Sequence, residues 1–152
     1  MHRSWFSAGG AAAPALVAVL VSCGGPTAPS AAPSSDPSAR ACQGVTGGAP
    51  WHGMAHVRGD RVTLDAHDDY FSPNCIVVPA GRSVTLVLTD RGSLPHTLEG
   101  NGTVVSASVD AGGTTFVTLP PVRRPTRLVC GLHEDEHMLL AVVPEAGGAG
   151  DV

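Results

Sequence analysis

At 152 residues, with part of the N-terminus set aside as a leader, the chain has room for about one folded domain. Its nine basic residues are all Arg and face 13 acidic ones, a formal charge of −4 that excludes nucleic-acid binding by bulk electrostatics. Nineteen Gly and 13 Pro, beside few aromatic residues, favour short strands and turns over long helices.

The N-terminus carries His2 and Arg3, then an apolar run from Ala11 to Val21. The run is shorter than the roughly 20 apolar residues that span a bilayer, but it suits the apolar centre of a signal peptide. It ends in Leu20-Val21-Ser22-Cys23-Gly24-Gly25. That segment resembles the lipobox of bacterial lipoproteins, which implies cleavage before Cys23 and acylation of its thiol; an ordinary secretory signal is the alternative. Residues 1–22 are therefore expected to be a lipoprotein signal peptide. The mature chain is expected to be extracytoplasmic and lipid-anchored to the cell membrane through Cys23, with each buried CH₂ contributing roughly 0.8 kcal/mol.

Residues 23–50 are rich in Pro, Ala, Ser and Gly and carry too little apolar bulk to offset ordering entropy, so they read as a tether. Fully extended, Gly24 to Arg40 would reach ~55–60 Å. Export brings an oxidising compartment, and Cys42 and Cys75 are left as a candidate disulfide. Sequence does not show whether their Cα atoms lie within about 7 Å, so the pairing stays open.

The folded domain is expected over residues 51–146, with residues 147–152 a disordered tail. Val62 to His67 alternates apolar and polar residues, Cys75 to Val78 is a short β-rich run, and Ser83 to Thr89 is the cleanest alternating strand. Turn residues separate them, and Asp90-Arg91-Gly92-Ser93 ends the third. This spacing, without a helical period, predicts an antiparallel β-sandwich. His52-Gly53-Met54-Ala55-His56 combines residues that can hold Cu(I). In an extended strand, however, His52 and His56 would lie about 13 Å apart, too far to chelate one ion. His67 beside Asp68-Asp69 reads as a solvated strand end.

Val104 to Val109, Thr114 to Leu119, Thr126 to Cys130 and Met138 to Val143 read as the remaining strands, seven or eight in all. The last two flank Cys130-Gly131-Leu132-His133-Glu134-Asp135-Glu136-His137-Met138. Thiolate, imidazole and thioether share one short loop, and His96 supplies a second imidazole from upstream. A His₂Cys plane with a weak axial Met is the donor set of blue-copper electron-transfer sites. Zinc fits less well, because Met is a poor zinc ligand.

Phe71, Pro73, Ile76, Val78, Pro79-Ala80-Gly81, Val84, Leu86 and Leu88, followed by His96 and the C-x-x-H-x-x-x-x-M loop, resemble the cupredoxins, the plastocyanin/azurin family. The likeness runs from about Val62 to Glu145. It implies an all-β, Greek-key sandwich holding one type 1 copper ion through His96, Cys130, His133 and Met138. It also implies a monomeric one-electron carrier rather than an enzyme. Redox protein partners would dock near His133, within a rim of Leu94, Pro95 and Leu132. The chain departs from the family in carrying His137 where many members have Gly, and Leu132 where many have Pro. His137 competes with Met138 for the axial role. The acidic run Glu134 to Glu136 reads as a solvated crest or as a steering patch for a basic partner.

The alternative function is copper storage or delivery on the same fold. A multicopper oxidase would need further His clusters, and a binuclear copper site would need a second Cys where Glu134 stands. Neither is present.

Overall fold

The computed structural model describes residues 35–100, 105–133 and 137–145. The leader 1–22, Cys23, the tether as far as residue 34, the acidic run 134–136 and the tail 147–152 lie outside them. In chain order the elements are α1 (Pro37–Thr46), β1 (Met54–His56), β2 (Arg61–Ala66), β3 (Phe71–Ser72), β4 (Cys75–Val78) and β5 (Val84–Asp90). They continue with β6 (His96–Gly100), β7 (Ser106–Val109), β8 (Thr114–Leu119), β9 (Thr126–Val129) and β10 (Leu139–Pro144).

The strands form two sheets, one of order β1-β4-β10-β9-β6-β7 and one of order β3-β2-β5-β8. The all-β sandwich expected from the alternating strands is what the chain forms. Its pairing is mixed rather than purely antiparallel, because β1 with β4, β4 with β10 and β2 with β5 run parallel. The described residues hold ten strands rather than seven or eight. The three-residue β1 and two-residue β3 are too short to show a period in sequence.

Strand β5 shows how the core is built. Val84, Leu86, Leu88 and Asp90 are buried, while Thr85, Val87 and Thr89 between them are partly exposed. This is the period of a strand with one face on the core. Leu64, Phe71, Ile76, Leu98, Leu128 and Leu140 meet that row in one apolar cluster between the sheets.

Strands β4 and β10 follow a different rule. Every residue of β4 is buried, and so is β10 except Pro144. Ile76, Val78, Leu140 and Val142 join the inter-sheet core, whereas Cys75, Val77, Ala141 and Val143 form a second cluster with Cys42. A strand buried on both faces reads as an unbroken apolar run, and a cover on the outer face is then required.

That cover is α1, which corrects the expectation of a tether reaching to residue 50. Asp36 caps the helix by accepting the Ser38 N–H at 2.8 Å, Pro37 begins it, and Gly47 ends it with φ 61°. Pro at the first turn and a left-handed Gly after the last are favourable for sound geometric reasons. Ser38, Ala39, Cys42 and Thr46 recur at helical spacing and are buried. A small-residue stripe suffices because the helix is also tied covalently: Cys42 and Cys75 form a disulfide across a Cα–Cα distance of 5.9 Å. No helix among the described residues is long and apolar enough to cross a membrane.

Candidate metal centre

Three neighbouring strands, β6, β9 and β10, bring the predicted donors to one end of the larger sheet. Glu99 pairs with Val129, and Val129 with Leu139, so the residues just beyond these registers converge. His96 opens β6, Cys130 follows β9, and Met138 precedes β10. The Cys130 N–H donates to the Met138 carbonyl at 3.0 Å, which extends the β9–β10 ladder to the loop mouth. The His133 N–H donates to the Cys130 carbonyl at 3.1 Å, turning His133 back over the thiol.

The Sγ of Cys130 lies 3.8 Å from Nδ1 of His96 and 3.4 Å from Nδ1 of His133. One donor atom from each of the three falls within 4.8 Å of the others. With zinc's bond lengths as a yardstick, ligands at about 2.0 Å (N) and 2.3 Å (S) separated by 120° lie ~3.7 Å apart. The measured separations bracket that figure, so the donors fit a three-coordinate plane around one ion. His96 and Cys130 are fully buried, His133 is partly exposed, and Met138 is buried beside Cys130 in the main core cluster.

The thiol is held by its neighbours on β6. The Thr97 N–H donates to Sγ at 3.3 Å, and the Thr97 hydroxyl lies 3.8 Å from Sγ while accepting the Gly131 N–H at 2.8 Å. The segment before His96 is held by Asp68. Its Oδ1 accepts the Ser93 N–H at 2.6 Å and the Leu94 N–H at 3.3 Å, and the Ser93 hydroxyl adds a further bond. A Cβ at residue 92 would collide with that carboxylate, so any larger residue there would displace Asp68. The Ser93 N–H bond is the main reason the Asp68 pKa falls below the usual carboxylate value. Behind His96, Asp90 accepts the Gly92 N–H through Oδ1 at 2.7 Å and turns Oδ2 toward His96 Nε2 at 3.7 Å. Burial pushes the His96 imidazole below its ordinary pKa, partly opposed by Asp90. A neutral imidazole is the form that binds metal.

The sequence profile of the cupredoxin-like domain matches residues 51–142. The chain belongs to the cupredoxin-like family. No curated protein sequence matches it. Among solved structures it is similar to dithionite-reduced auracyanin from the photosynthetic bacterium Roseiflexus castenholzii, at 11% identity and a TM-score of 0.49, over 59% of this chain and 99% of that one. Auracyanin B aligns at 16% identity and a TM-score of 0.47, over 56% and 88%. The laccase-like multicopper oxidase CueO of Ochrobactrum sp. aligns at 11% identity and a TM-score of 0.49, but this chain spans only 30% of it.

Within the cupredoxin-like domain, the remaining candidate ligands go elsewhere. The His52 ring stacks on Tyr70 with centroids 3.9 Å apart, and His67 stacks on Tyr70 at 4.4 Å. His56 is exposed at the end of β1. Among the described residues, His96, Cys130 and His133 are the one group of three His, Cys, Asp or Glu with converging donor atoms. His137 lines a cavity of about 70 Å³ with His52, Asp69, Tyr70 and Asn74 and is not in that group. Its φ of 60° lies in the left-handed region, which glycine takes without strain. Reading the sequence missed Asp90 and Thr97. The alternation Val84, Leu86, Leu88 extends by one step to residue 90 and could have marked Asp90 as inward-facing.

Proposed function

We propose that the domain is a mononuclear copper protein acting as a one-electron carrier. Support comes chiefly from the convergence of His96 Nδ1, Cys130 Sγ and His133 Nδ1 at mutual distances suited to one ion. A soft thiolate with two imidazoles selects copper, which would supply the one-electron couple. In this reading Cys130 is the thiolate donor, His96 and His133 complete the plane, and Met138 is the axial donor. The Thr97 N–H stabilises negative charge on sulfur. Burial of Cys130, His96 and Met138 excludes water and holds the donors in one arrangement for both oxidation states.

His133 is the partly exposed ligand, and Leu94 and Leu132 are exposed at 45% and 57%. Electrons would leave through His133 to redox proteins docking on that apolar rim. The domain would work as a monomer outside the cytoplasm, tethered through lipid on Cys23. The test is to add Cu(II) to the full chain and record its visible spectrum and voltammogram. One equivalent, an intense thiolate-to-copper band and a reversible couple are expected, with the band absent in Cys130→Ser. Colourless, exchangeable Cu(I) binding would favour storage or delivery instead.

A further inference from the structure

Asp90 is a carboxylate where the strand pattern calls for an apolar side chain. It stands fourth in the inward row of β5, after Val84, Leu86 and Leu88, and its side chain is fully buried. One oxygen is used by the Gly92 N–H at 2.7 Å. The other, Oδ2, and Nε2 of His96 have no hydrogen-bond partner among the described residues, and they face each other across 3.7 Å. That gap exceeds a hydrogen bond by a few tenths of an ångström. Unsatisfied buried polar atoms are costly, and two that confront each other across a sandwich core call for a reason. Asp90 lies on the smaller sheet and His96 on the larger, so the pair spans the two layers at the metal end.

The chemistry of the pair is directional. A carboxylate only accepts, so it favours the imidazole tautomer that carries its proton on Nε2. Nδ1, the nitrogen aimed at Cys130, is then the free lone pair. Partners of this kind fix the ring's tautomer and raise its basicity as a ligand. We propose that Asp90 is a positioning residue for the metal centre. It holds the His96 proton on Nε2 so that Nδ1 is the donor, and its buried charge favours Cu(II) over Cu(I), keeping the reduction potential low. The inference rests on the copper reading.

Asp90→Asn tests it. The amide keeps the shape and the acceptor for Gly92, but it removes the charge and can present N–H to Nε2. In the metal-free full chain, ¹⁵N-resolved NMR should find His96 protonated on Nε2 in the wild type and shifted toward the Nδ1–H tautomer in the variant. In the copper-loaded chain, Cu(II) affinity should fall about 10–100-fold. The potential should rise by about 59 mV for each tenfold by which Cu(II) binding falls more than Cu(I) binding. A wild-type Nδ1–H tautomer, or a folded variant with an unchanged or lower potential, overturns the proposal. Should the variant not fold, the wild-type tautomer decides alone. The tautomer is read without metal, so failure to bind copper would sink the copper reading and leave this measurement standing.

Discussion

Thr97 fastens β6 to the ligand loop through its backbone N–H and through its hydroxyl. Thr97→Val keeps the N–H to sulfur and removes the acceptor of the exposed Gly131 N–H. A loss of about 0.5–1.5 kcal/mol in denaturant unfolding is expected, with copper stoichiometry unchanged. Asp68 acts one step further from the metal, through Ser93 and Leu94. Its folded pKa is depressed, so its contribution to stability is fully present above the unfolded value near 3.9 and is lost as pH falls below that toward the folded value. Asp68→Asn should therefore lower stability near neutrality and flatten the stability–pH curve below about pH 4, as read by thermal melts. At residue 137 the left-handed backbone costs a histidine roughly 1–2 kcal/mol that glycine avoids. His137→Gly should accordingly be neutral or stabilising by up to about 1 kcal/mol, against the usual direction of substitutions to glycine. At this scale the convergence of His96 with Cys130 and His133 was legible, because thiolate and imidazole spaced along one short loop are chemically specific. Asp90, Thr97 and Asp68 were not, because a carboxylate or hydroxyl beside a turn reads as solvated until a second strand is placed against it.

Among the elements, α1 is the one that composition concealed. Its buried stripe is Ser, Ala, Cys and Thr, which supplies little of the apolar signal by which helices are recognised. The signal lay instead at its ends, in Asp36-Pro37 and Gly47, and in the unbroken apolar runs of β4 and β10 that required a lid. With so thin a stripe, the disulfide carries much of the attachment. A link between residues 33 apart in sequence is worth about 3–4 kcal/mol on the loop-entropy account. The double variant Cys42→Ser, Cys75→Ser should lose stability of that order, and reductant should lower the wild-type melting temperature while leaving the variant's unchanged. Strands with clear alternation, β2, β5 and β8, fell within a residue of their expected positions, whereas β1 and β3 exist only because longer strands lie beside them.

For the whole molecule, the converging donors come from β6 and from the segment between β9 and β10, so an ion held there would close one end of the larger sheet. Binding to the folded form alone stabilises it by about 2.7 kcal/mol at 100 times the dissociation constant. For a domain of this size that is a rise of roughly 10–20 °C. A melting temperature unmoved by Cu(II) would show that these donors do not act together.

The amino-acid order by itself determined the sandwich class, the donor types and their spacing, because alternation and ligand chemistry are local properties. Tertiary structure decided the rest. Which face of β4 needs a helix, which cysteines meet, and which carboxylate stands behind His96 all depend on strands distant in sequence becoming neighbours. No local pattern records the distance between a side chain on one sheet and a ring on the other.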